Sequence, residues 1–142
     1  MTSQEKKRWL SRYVCLDREI DRLIRERSKW MARATRMVQS YGGMPGGGSG
    51  DIHSGESILL KIDAIEREID GKIDTLLDLR GAIAGSIAAV EDREQRMLLE
   101  LRYLDGETFE EIAEEMHVSV RHTTRLHGYA LEKISVEEEK MS

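Results

Sequence analysis

Three histidines, His117, His122 and His127, stand five residues apart near the C-terminus, and imidazoles at that density first raise the question of a metal site. On a helix a five-residue step turns by about 140°, so neighbouring rings leave on different faces and cannot grip one ion as an i, i+4 pair would. His53, with Asp51 and Glu56 close by in sequence, reads as solvated surface. The single cysteine, Cys15, has no second thiol for a disulfide or a CxxC pair, and Asp17 and Arg18 beside it provide no fixed base. Carboxylates are abundant, yet no pair falls in a recognisable apolar pocket where one would be raised for acid catalysis. The glycine-rich stretch at 41–50 lacks a Gly-Lys-Ser/Thr ending and a preceding hydrophobic strand, so it is no phosphate loop. No enzyme, cofactor or metal is expected.

What remains is the chemistry of recognition. Arg121 and Arg125 lie four apart, on one face of a helix, where a guanidinium can bridge guanine O6 and N7 or hold a phosphate. Thr124 can meet a phosphate or a thymine methyl, and Ser119 opens the helix with amides suited to an anion.

The elements that must position these residues are legible around them. Thr108-Phe-Glu-Glu111 is a capping box, opening a short helix with Ile112, Ala113 and Met116 inward and ending near His117. Val118 is the apolar residue of a turn, Ser119 a second N-cap, and Thr123, Leu126, Ala130 and Ile134 share a face of the helix that follows. Upstream, Met97, Leu98, Leu101 and Leu104 predict another amphipathic helix, stopped by Asp105-Gly106. Together these are the pattern of a helix-turn-helix, with the small Ala113 where its two helices cross. His117 occupies a turn position commonly given to glycine, and histidine is among the residues that visit positive φ.

The runs Arg96-Met-Leu-Leu-Glu-Leu-Arg-Tyr-Leu-Asp-Gly106, Phe109-Glu-Glu-Ile-Ala113, Val118-Ser119 and Ala130-Leu-Glu-Lys-Ile134 resemble region 4 of sigma-70-type factors, over about a third of the chain. The segment Arg121-His-Thr-Thr-Arg-Leu-His127 is more similar to phage transcriptional regulators of the ArpU and RinA kind. The resemblance implies that the helix from Ser119 enters the major groove of double-stranded DNA, with Val120, Arg121, His122, Thr124 and Arg125 at base edges and phosphates. It also implies RNA polymerase as a second partner, through the acidic helix from Thr108.

The other residues have a different pattern. From Trp9, the positions Tyr13, Leu16, Ile20, Leu23, Trp30, Ala34 and Met37 alternate three- and four-residue steps, with Arg27 in the one polar slot. A seam of that period must bury itself against another helix. Ile58, Ile62, Ile65, Ile69, Ile73, Leu76, Ile83, Ile87 and Val90 give a second helix of similar length. Between them, residues 41–50 hold six glycines and the only proline, too costly in entropy for regular structure. The fold expected is all-α: a long antiparallel helical hairpin over 1–90 with a loop at 42–57, a helix-turn-helix over 91–136, and an acidic tail at 137–142. Gly71, Gly81 and Gly85 within the second helix suggest close helix approach or a bend.

Charge separates the same segments. Residues 1–41 carry 11 Lys/Arg against 5 Asp/Glu, whereas residues 91–142 carry 7 against 14. Glu107, Glu110, Glu111, Glu114 and Glu115 would repel phosphate, so a single copy should bind DNA weakly. Lys6, Lys7, Arg8 and Arg12 could add phosphate contacts, and a second copy, forming a four-helix bundle, would present two readers. A homo-oligomer, a dimer first, is therefore expected. A small terminase-like DNA-packaging protein is the alternative, and a closed ring of many copies would distinguish it. No run of about 18 apolar residues appears, and the first residues lack a signal-peptide pattern, so a cytoplasmic protein without a membrane partner is expected.

Overall fold

The computed structural model describes residues 1–41 and 49–136, and its elements are all helices. They are α1 (Ser3–Tyr41), α2 (Ser49–Ala88), α3 (Arg93–Tyr103), α4 (Phe109–Met116) and α5 (Val120–Lys133). The all-α hairpin followed by three short helices is as expected. α2 begins at Ser49, inside the stretch expected as a loop; residues 42–48 of that loop and the acidic tail 137–142 lie outside the described residues.

α1 runs 39 residues, about 60 Å, because nothing interrupts it: no glycine or proline occurs from Ser3 to Tyr41. Its start is capped reciprocally, Thr2 Oγ1 accepting from the Glu5 amide at 3.2 Å and Glu5 accepting from the Thr2 amide at 3.4 Å. α2 runs antiparallel to α1. The pairings Tyr13 with Arg80, Glu19 with Lys72 and Trp30 with Lys61 show this, since one number falls as the other rises.

The chain divides into two compact units, residues 18–75 and residues 1–17 with 76 onward. In the first, Ile20 and Leu23 of α1 and Ile65 and Ile69 of α2 are buried along the seam. Arg27 is half-buried, its stem covering the slot it interrupts. One expectation is corrected. Ile73 is 37% exposed, and the seam slot falls to Lys72, whose Nζ lies 3.4 Å from Glu19 Oε1. Both residues continue a three-four spacing from Ile69 to Leu76, and the carboxylate across the seam is what favours lysine. Trp30 is flanked by the Arg33 guanidinium at 4.7 Å and the Lys61 ammonium at 4.8 Å from its ring centre.

The second unit holds the larger core. Trp9 (1% exposed) and Leu10 of α1, Ile83 and Ile87 of α2 and Val90 just beyond it form one buried cluster with Leu98, Leu99, Tyr103, Ile112, Ala130, Leu131 and Ile134. The first turns of the hairpin are thus part of the core of the three short helices, and the boundary expected at residue 90 runs through apolar contact. The reason is area: three helices of 11, 8 and 14 residues enclose little by themselves.

α3 starts at Asp92, whose side chain accepts from the Gln95 amide at 2.9 Å. Its inner face is Leu98, Leu99 and Tyr103, while Met97, expected inward, is exposed; Leu101 and Leu104 are half-buried. Gly106 then turns the chain at φ 72°, a conformation natural to glycine. A Cβ added at Gly71, Gly81 or Gly85 would meet no atom within 4 Å, so close approach of α1 does not account for these glycines. No described helix is long and apolar enough to cross a membrane.

Candidate nucleic-acid interface

The helix-turn-helix is built by two caps and one left-handed residue. Thr108 Oγ1 accepts from the Glu111 amide at 3.1 Å and Glu111 returns to the Thr108 amide at 3.4 Å, completing the capping box read from the sequence. α4 ends at His117, which adopts φ 59° and ψ 43° and is the only non-glycine residue of positive φ among the described residues. The Val118 amide donates to the Ala113 carbonyl at 3.0 Å, closing the turn with Val118 half-buried. Ser119 then caps α5, its Oγ accepting from the His122 amide at 3.0 Å.

That geometry sorts the side chains of α5 into two faces. Thr123, His127, Ala130 and Leu131 are buried, with Leu126 half-buried beside them. Val120, Arg121, His122, Thr124 and Arg125 are all exposed, as is the cap residue Ser119, and Arg121 and Arg125 lie on the side of the helix opposite the buried residues. All six residues singled out for DNA are solvent-accessible, and one groove brings Arg121, Thr124 and Arg125 together. Neither arginine is in an ion pair with a described residue. Arg121, Thr124 and Arg125 share an open groove with Ser3, Gly128, Tyr129 and one carboxylate, Glu132, so the first turn of α1 borders this surface. The Thr124 hydroxyl donates to the Val120 carbonyl at 3.0 Å.

The basic start of α1 behaves less uniformly than its composition suggests. Lys6 Nζ donates to the Leu131 carbonyl at 3.0 Å, placing a cation at the negative end of the α5 dipole, so it holds protein and not phosphate. Arg8 and Arg12 are exposed, and Lys7 is half-buried toward α5.

Sequence reasoning missed the polar interior of this unit. His127, only 6% exposed, lies 2.6 Å by its Nε2 from the Tyr103 hydroxyl and meets Phe109 edge-on at 5.1 Å. Burial pushes its pKa down to about 4, helped by the charges of Lys7 and Arg102, so the ring is neutral near pH 7. Burial pushes the Tyr103 phenol up to about 12, so it keeps its proton. Arg102 donates to the Glu107 carbonyl at 2.9 Å and lies 4.5 Å over the Phe109 ring. The available signal was helical spacing: His127 stands four residues after Thr123 and three before Ala130, on the inner face. On the opposite side, Glu107 is raised above the usual carboxylate range, first by its hydrogen bond with Glu115, then by slight desolvation and the charges of Glu115, Glu111 and Asp105.

The sequence pattern of the family described as Sigma-70, region 4 matches residues 92–135, which span α3, α4 and α5. No curated protein and no solved structure matches the chain.

Proposed function

We propose that this protein is a sequence-specific DNA-binding transcriptional regulator that lays α5 in the major groove. The observation that carries the reading is the pair Arg121 and Arg125, exposed four residues apart on the outer face of the second helix of a helix-turn-helix and free of described carboxylate partners. Val120, His122 and Thr124 complete the reading edge, and the amides at the Ser119 cap favour a phosphate. The region 4 match over α3–α5 supports this assignment of roles. The run Arg121–His127 favours a phage or prophage setting, by its similarity to ArpU and RinA regulators.

A second copy compensates for the acidic surface of α4, because two readers on one duplex raise the effective concentration of each. RNA polymerase is the partner proposed for that acidic face. Selection of bound duplexes from a random pool at near-physiological salt, followed by anisotropy titration, tests the reading. One enriched motif is expected, with Arg121→Ala and Arg125→Ala each weakening it by about 1–3 kcal/mol. A flat titration at low salt, or arginine variants that bind unchanged, would overturn it.

A further inference from the structure

Beside α5, the first turns of α1 and the end of α3 border a half-open cavity of about 400 Å³ that adjoins the groove of Arg121 and Arg125. Its charged lining is Lys7 and Arg102; Ser3, Ser11 and Thr124 add hydroxyls, and no carboxylate lines it. His127 forms part of the wall. The Tyr103 hydroxyl has no other described acceptor, so its proton goes to His127 Nε2, and the ring carries its own hydrogen on Nδ1. That N–H makes no hydrogen bond to a described residue and keeps access to the solvent of the cavity. A donor that opens on the cavity thus stands beside the Lys7 ammonium and the Arg102 guanidinium, with no carboxylate in the lining.

We propose that this cavity is an oxyanion site, in which Lys7 and Arg102 supply the charge and His127 Nδ1–H the oriented hydrogen bond to a phosphate or carboxylate group. The volume exceeds what a lone phosphate fills, so the ligand class is a small phosphorylated or carboxylated molecule. A phosphate of the DNA backbone has the same chemistry, and Ser3, Thr124 and Gly128 line both this cavity and the groove beside Arg121. An occupant would touch α1 and α5 together and fix the pose of the reading helix.

The test uses the full chain with ¹⁵N-labelled histidine, titrated with inorganic phosphate at pH 7.5 and constant ionic strength. The ring signals of His127 are expected to shift saturably while those of the exposed His122 stay still. Lys7→Gln should weaken the effect about tenfold or more, the loss expected for one charged hydrogen bond. Because Arg102 also holds a backbone carbonyl, Arg102→Lys serves as the second variant, with circular dichroism confirming the fold. In a parallel arm the selected duplex replaces phosphate. A His127 shift only with duplex, with Lys7→Gln lowering the salt slope of binding by about one, assigns the site to the DNA backbone. A shift with free phosphate assigns it to a small ligand, and that arm stands even if the chain binds no DNA. No His127 shift in either arm, or one that Lys7→Gln leaves intact, would overturn the proposal.

Discussion

At the scale of single residues, His127 makes the sharpest claim. Its folded pKa, about 4, lies below the ordinary 6.5, so the unfolded chain binds the proton first on acidification. The contribution is therefore fully present above pH 6.5, lost as pH falls toward 4, and worth up to about 2 kcal/mol between pH 7.5 and 5. Urea midpoints at those two pH values should show the loss in the wild type and little of it in His127→Gln. Glu107, raised in the fold, acts in the opposite sense in both proteins, so the difference between them isolates the histidine. Sequence alone exposed Arg121 and Arg125 as a pair, since four residues apart on a helix is a statement about direction. It left His127 as one of three histidines unable to share a metal ion, because five-residue spacing describes their mutual angles and not what lies opposite each.

At the scale of elements, caps and turn residues were readable because they act within four residues of themselves. Removing the Thr108 hydroxyl leaves the Glu111 amide without its acceptor, and Thr108→Ala should cost about 1 kcal/mol in thermal or urea unfolding. His117→Gly should raise stability by up to about 1 kcal/mol, since glycine relieves the left-handed backbone at φ 59°. Gly71→Ala should likewise stabilise by up to about 1 kcal/mol, because the added methyl meets nothing and the helix gains a better former. A loss of stability there would reveal a surface covered by another copy. The seam register between Ile69 and Leu76 was not readable: Lys72 and Ile73 fit the spacing equally, and the choice rests on Glu19 across the hairpin.

At the scale of the whole molecule, the helix-turn-helix is not separable from the start of the chain. Trp9 and Leu10 fill the centre of a core otherwise made by α2, α3, α4 and α5, and Lys6 caps the far end of α5. Trp9→Ala should cost about 3–5 kcal/mol and loosen α3–α5 with it. Amide exchange at Leu98, Leu99 and Leu131 should speed up in that variant, whereas a response confined to α1 would contradict the shared core. A heptad pattern could not announce this, because it shows that Trp9 faces inward and is silent about which helices arrive to meet it.

Periodicity, caps and the arginine spacing are local properties, carried by a few covalently adjacent turns, and from them the amino-acid order alone determined five helices, a hairpin and an outward pair of arginines. Tertiary structure decided which long-range neighbours fill each slot: Lys72 over Ile73, Trp9 beneath α5, and His127 beside Tyr103, Lys7 and Arg102. Burial and charge compensation depend on atoms dozens of residues away in the chain, and only folding brings those atoms within range.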